Sequence, residues 1–189
     1  MSAVVRNLGV VVGGPSGSLT LRDGSAVRLR PVVPRDEVAM RTFLEGVSPD
    51  SLRRRFFGVP DVGRTARSLV EGCREADFGL VAHADATSEI VAHAGWYRID
   101  SERAEAAFLV TDGWQGRGLG SLLFSRLAQV AQQRGVATLV ADVLPGNGAM
   151  IAVFERCGYP VAVHSDAHGV EVRIALSSPG LAPALARAA

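Results

Sequence analysis

Three glycines within five positions, Gly116, Gly118 and Gly120, are the densest chemical signal in the chain. They lie in Gln115-Gly116-Arg117-Gly118-Leu119-Gly120, at the start of a run in which Leu119, Leu122, Leu123, Leu127, Val130 and Ala131 recur at spacings of three and four. That period predicts an amphipathic helix, with Gly135 placed to cap its end. N–H groups at a helix start have no intrahelical partner, and the helix dipole makes that end electropositive. Glycines there let a phosphate approach the backbone, and Arg117 adds a planar, permanently charged fork. The same spacing also suits a plain connecting turn, so its context has to decide.

Two other residue types stand near this loop. Glu105 opens the short apolar run Ala106 to Val110, a predicted strand. Alternation puts Glu105 on one face with Ala107 and Leu109, opposite Ala106, Phe108 and Val110. A carboxylate set among small apolar neighbours is a candidate general base; the plainer reading is a strand-end glutamate in solvent. Asn147 precedes another apolar-periodic segment and can cap it.

Several chemistries are set aside. A P-loop needs Gly-Lys, and all 20 basic residues of this chain are arginine. A dinucleotide fingerprint needs a glycine at position 121, which is Ser121. His83, His93, His164, His168, Cys73 and Cys157 show no metal-ligand spacing, so no metal is expected.

The elements that must position these residues follow from pattern. Residues 1–17 read as a mobile arm or an edge strand (Val10 to Val12) with a Gly-Gly-Pro-Ser-Gly linker. A hairpin with Asp23-Gly24 at its turn follows, then helices from Pro34, over Ser51 to Gly58, and over Arg64 to Glu71. Phe78 to Ala84, Glu89 to Tyr97 and Ala104 to Val110 read as a three-strand meander feeding the glycine loop. Val136 to Val143 is a nearly all-apolar strand suited to a sheet covered on both faces. A helix after Asn147 stops at Gly158, and Pro160 to His164 with Val170 to Leu176 make a last hairpin. Residues 18–177 form one predicted domain, and the Ala/Pro-rich tail 178–189 is expected to be disordered.

The stretch from 104 to 158 resembles the GNAT superfamily of acyl-CoA-dependent N-acyltransferases. Its acyl-CoA signature (Gln or Arg, two residues, Gly, one residue, Gly or Ala) is matched by Gln115, Gly118 and Gly120. VRLRPVV (Val27 to Val33) and SPDSLRRRFFG (Ser48 to Gly58) further resemble bacterial Pat-type protein-lysine acetyltransferases. The resemblance implies an α/β (α+β) GNAT fold, with a central mixed, largely antiparallel sheet splayed at the acyl-CoA site and flanked by helices.

It also implies a set of roles. The backbone of Leu109 and Val110 would hold the acyl and pantetheine portion of acetyl-CoA. Gln115, Gly116, Arg117, Gly118, Leu119 and Gly120 would hold its pyrophosphate, and Asn147 would lie near the pantetheine. Glu105 would take the ammonium proton of a primary amine, with direct attack in a ternary complex. The implied acceptor is a protein lysine, that of an acyl-CoA synthetase being one candidate. A small-molecule amine and a non-catalytic acyl-CoA-binding regulatory role are the alternatives. One departure is visible: the family's tyrosine acid, seven residues after the asparagine, is here Phe154. Tyr159 matches instead the aromatic residue that opens the next strand.

Composition bounds the rest. A net charge of +1 offers no argument for nucleic acid or membrane partners. No apolar run approaches the ~18 residues of a membrane helix. With no signal-peptide pattern and two widely spaced cysteines, a cytoplasmic setting is expected, with oligomeric state left open. Arg53-Arg54-Arg55 fits a solvated helix face, the competing reading being a contact for an acidic partner.

Overall fold

The computed structural model describes residues 16–72, 77–165 and 169–176. The Val10–Val12 strand, the tail, Cys73 and His168 lie outside these residues. Among the described residues, eight strands form one sheet in the order β1-β2-β3-β4-β5-β6-β8-β7. They are β1 (Gly17–Thr20), β2 (Ala26–Pro31), β3 (Phe78–Ala84), β4 (Ile90–Arg98), β5 (Arg103–Val110), β6 (Thr138–Val143), β7 (Val161–Ser165) and β8 (Val170–Ala175). Among the described strands only the β5–β6 pair is parallel. The mixed, largely antiparallel sheet implied by the resemblance is therefore present. The last hairpin enters in reverse, with β8 beside β6 and β7 at the edge.

Five α-helices among the described residues cover the two faces. α1 (Glu37–Glu45), α2 (Pro49–Phe56) and α3 (Val62–Glu71) lie between β2 and β3 in the chain, and α4 (Leu119–Gln133) and α5 (Gly148–Glu155) between later strands. On one face Leu123, Phe124 and Leu127 of α4 and Phe154 of α5 are buried with Leu80, Trp96 and Leu139 of the sheet. On the other face Met40, Phe43 and Leu44 of α1 and Leu69 and Val70 of α3 are buried with Val81, Ile90 and Leu109. α1, α3 and α4 each turn an apolar stripe to the sheet, as their spacing requires. β4 is buried from Ile90 to Trp96 because it is sandwiched on both faces.

Local chemistry sets the ends. Ser48 caps α2 by accepting from Ser51 N–H, with Pro49 at the first position. Asp61 caps α3 through Arg64 N–H at 2.8 Å. β2 is tied to the start of α1 by a bidentate pair, Arg30 with Asp36, at 2.7 Å for each bond. Asp36 also accepts from Val33 N–H at 2.8 Å. Burial alone would raise the Asp36 pKa, but these hydrogen bonds outweigh it and hold the carboxyl below its ordinary value.

Candidate active site

The sheet opens beside Glu105. β5 and β6 pair only through Arg103, Ala104 and Glu105, opposite Thr138, Leu139 and Val140. Beyond that point β5 keeps only β4 as a neighbour, and β6 keeps only β8. At the level where pairing has stopped, Phe108, Phe124 and Phe154 meet with ring centroids 5.4–6.1 Å apart. Phe154 is fully buried in this cluster. An aromatic packing residue thus stands where the family's tyrosine acid is expected.

The backbone of β5 faces this opening selectively. Thr111 N–H donates to Val91 C=O at 3.0 Å, so 91 and 111 form a hydrogen-bonded pair. Alternation along the register then commits Leu109 to His93 and turns Phe108 and Val110 toward the opening. Of the two positions expected to hold the ligand by backbone, Leu109 spends its backbone on β4 and its side chain on the α1–α3 core, while Val110 faces the opening. Val110 C=O already accepts from Gln115 Nε2 at 3.0 Å.

The glycine loop lies at the end of β5. Gly116 (φ 74°) and Gly118 (φ 89°) are left-handed, a conformation that favours glycine. Gly118 caps α4 with no side-chain hydrogen bond, and the first helical bond runs from Leu122 N–H to Gly118 C=O. The N–H groups of Leu119, Gly120 and Ser121 are the helix's orphan donors. Leu119 is itself a core side chain, so only its main chain can serve a ligand. Arg117 lies over Trp114, 5.0 Å from the ring centroid, and pairs with Asp23 at 3.0 Å. Hydrogen bonds from Ser25 hold Asp23 below the ordinary carboxylate range.

A Cβ on Gly118 would come within 3.7 Å of Arg22 Nε. Arg22 and Asp23 thus belong beside the loop, whereas the sequence pattern placed Asp23 only in a hairpin turn and singled out nothing at Arg22. They come from the β1–β2 turn, and nothing local signals where a hairpin turn will dock.

A second unforeseen contact set ties α2 to the same loop. Asp112 accepts from Ser48 N–H (2.9 Å), Ser48 Oγ (2.8 Å) and Ser51 Oγ (2.8 Å). Gln115 Nε2 also donates to Ser51 Oγ at 3.1 Å. The Ser48 N–H bond is the leading cause of a lowered Asp112 pKa. This clamp sets where the arginines of α2 go. Arg53 and Arg54 pair with Asp50 and, with Leu144 to Asn147, line a cavity of about 210 Å³. Asn147 caps α5 there, its Oδ1 accepting from Met150 N–H at 3.4 Å.

Arg55 breaks the solvated-face pattern. Its Nε is buried with no hydrogen-bond partner, and Tyr97 and Glu105 are the groups that stabilise its charge. Burial acts the other way and lowers its pKa. Glu105 is exposed, with Tyr97 directly across the ladder. The surroundings expected for Glu105 are corrected accordingly: its neighbours are a phenol and a guanidinium as well as small apolar residues. His93 lies on the same face, buried, with neither ring nitrogen hydrogen-bonded. Desolvation, and then Arg55, push its pKa down to about 3. It is therefore neutral near pH 7.

Other residues lie apart from the opening. Tyr159 is half-buried against Phe124 and donates to Gln132 Oε1 at 3.1 Å. His83 Nδ1 is 2.8 Å from Ser88 C=O, and His164 is exposed on β7. Among the described residues no group of three His, Cys, Asp or Glu is placed to hold a metal. None of the described helices is long and apolar enough to cross a membrane.

Comparison with known proteins matches this architecture. Residues 49–159 match the model of the acetyltransferase (GNAT) family. The chain is 34% identical over 144 residues to acetyltransferase Pat of Mycolicibacterium smegmatis, covering 73% of this chain and 42% of that protein. It therefore spans less than half the length of that relative. L-methionine sulfoximine/L-methionine sulfone acetyltransferases of Pseudomonas paraeruginosa and Pseudomonas aeruginosa are 28% identical over 90 residues, covering 45% of this chain and 52% of theirs. The crystal structure of the GNAT domain of S. lividans PAT superposes with a TM-score of 0.74 at 34% identity, covering 84% of this chain and 94% of that one. Sheet, opening and glycine loop, together with these matches, show that the chain belongs to the GNAT acetyltransferase family.

Proposed function

We propose that the chain transfers an acetyl group from acetyl-CoA to a primary amine of a protein lysine, by direct attack in a ternary complex. The observation that carries this reading is the divergence of β5 and β6 immediately after Glu105, with the glycine loop at the far end of the same strand. The pyrophosphate would meet the orphan N–H groups of 119–121, the left-handed turn 116–118 and Arg117. The pantetheine arm would run along the Phe108 and Val110 backbone, with the amide of Asn147 beside it. On this reading the thioester would lie near the point where β5 and β6 part, beside Glu105.

The chemistry needs a free amine. An alkyl ammonium, with a pKa near 10.4, is not a nucleophile until its proton is removed. Glu105 takes that proton directly or through one water. The amine nitrogen then attacks the thioester carbon, the C–S bond breaks, the nitrogen releases its second proton to solvent as the amide forms, and the thiolate takes a proton from solvent. Phe154 has none to give.

Homology to a protein named Pat favours a protein acceptor. The methionine sulfoximine acetyltransferases favour a small amine. Incubation with labelled acetyl-CoA, first with lysate proteins and then with small amines, tests both. Label on protein lysines supports the first reading and label on small amines the second. Acetyl-CoA binding without transfer to either would leave a regulatory acyl-CoA-binding module.

A further inference from the structure

The cavity under Arg55 carries more information about the acceptor. It measures about 300 Å³ and is lined by Arg55, Arg64, Thr65, Ser68 and Tyr97, with two apolar neighbours. That volume holds several times the ~30 Å³ share of one water. Among the described residues no carboxylate lines it. Its wall at Tyr97 is the direct cross-strand neighbour of Glu105, so the cavity adjoins the proposed base.

Ion pairing on the surrounding helices singles out two cations. Arg41 pairs with Glu45, Arg53 and Arg54 with Asp50, and Arg67 with Glu37. Arg64 has no ion pair among the described residues, and Arg55 keeps a buried Nε without a partner. Two guanidinium groups therefore share the cavity while Glu105 stands at its edge, which leaves an excess of positive charge. A guanidinium keeps its proton in proteins and presents up to five N–H donors in a fork matched to a carboxylate. A buried donor left unmatched is costly, and an anion entering here would satisfy it.

From this pattern we infer that the cavity is an acceptor subsite for a carboxylate, so the amine taken to Glu105 belongs to a molecule that carries an anionic group close by. The subsite rests on the acetyl-transfer reading above. Charges then match end to end: ammonium to Glu105, carboxylate to Arg55 and Arg64. Thr65 and Ser68 supply hydroxyls at the same wall. The carboxylate has two sources, the side chain of an Asp or Glu beside an acceptor lysine or the α-carboxylate of a free amino acid.

Twin acceptors decide it. One arm compares lysine peptides differing only in Asp against Asn beside the lysine; the other compares free amino acids with their carboxamides. In at least one arm the carboxylate twin should show a KM about tenfold lower, the scale of one charged hydrogen bond, and that arm names the source. Arg64→Gln should narrow the ratio and Arg64→Glu should invert it, which loss of fold cannot do. Arg55→Gln should abolish it. Equal KM values for both twins in both arms overturn the subsite while leaving acetyl transfer standing, as does a ratio untouched by Arg64→Glu and Arg55→Gln. No turnover of any amine, with acetyl-CoA still bound, takes down the transfer reading and the subsite together.

Discussion

The two ends of the opening between β5 and β6 are built in different ways. The proposed cofactor end is nearly continuous in sequence: the β5 backbone, the glycine loop and the first turn of α4 follow one another from 108 to 121. The proposed acceptor end is assembled from α2, α3, β4 and β5, which meet only after the sheet has formed. A site made by one chain segment needs only local dihedrals and one helix start. A site made by four segments needs register and helix placement as well. The first should therefore respond to single backbone changes, and the second to changes in charge and packing.

Four outcomes break or sharpen that contrast. The largest lies at the acceptor end. Glu105→Gln keeps size and hydrogen bonding but cannot take the ammonium proton, so kcat should fall by about 10² to 10⁴. Acetyl-CoA affinity, measured by calorimetry, should barely move. A variant that keeps the wild-type rate makes Glu105 structural.

The next lies at the cofactor end. Gly118→Glu places a carboxylate at the loop where φ is 89° and should weaken acetyl-CoA binding about 10²-fold. Gly118→Ala carries the same backbone strain without the charge and should cost less. Equal losses would mean conformation matters there and charge does not.

A third effect belongs to the packing under the acceptor end. His93 is neutral and buried, with a folded pKa of about 3 against about 6.5 when unfolded. The unfolded chain binds the proton more readily. Stability is therefore complete above pH ~6.5 and drains away as pH falls toward about 3. Near pH 5 the loss amounts to about 2 kcal/mol. His93→Leu removes this dependence, so its denaturation midpoint should vary less between pH 7 and 5 than that of the wild type. An unchanged slope would place the proton uptake elsewhere, with Asp36 acting at lower pH because its folded pKa is depressed.

The smallest expected effect is none at all. With no lysine in the chain, long exposure to acetyl-CoA should add no acetyl group to side chains. Intact-mass spectra with a shift beyond the amino terminus would contradict a transfer limited to lysine.

Legibility followed the same division. The strand, loop and helix around 104–135 were readable because three- and four-residue periods and clustered glycines are local signals. The cap at Asn147 and the meander before the loop were readable for the same reason. The reversed entry of β8 was not, because either strand of a hairpin can take the inner position. The three arginines of α2 looked alike in sequence, yet Arg53 and Arg54 meet Asp50 while Arg55 turns inward. Which of Leu109 and Val110 faces the opening was equally hidden, since it depends on hydrogen-bonding phase against β4.

The sequence by itself determined a glycine-rich loop between a buried strand and an amphipathic helix, a carboxylate ten positions before it, and a phenylalanine where a tyrosine acid is expected. These follow from residue type, spacing and backbone freedom, which act over a few residues. Only the tertiary structure decided that β5 and β6 part at Glu105, that Asp112 holds α2 against the loop, and that Arg55 and Arg64 share a cavity beside Tyr97. Those contacts join segments far apart in the chain, and the energy that selects them is the burial of two core faces on one sheet, which no local pattern encodes.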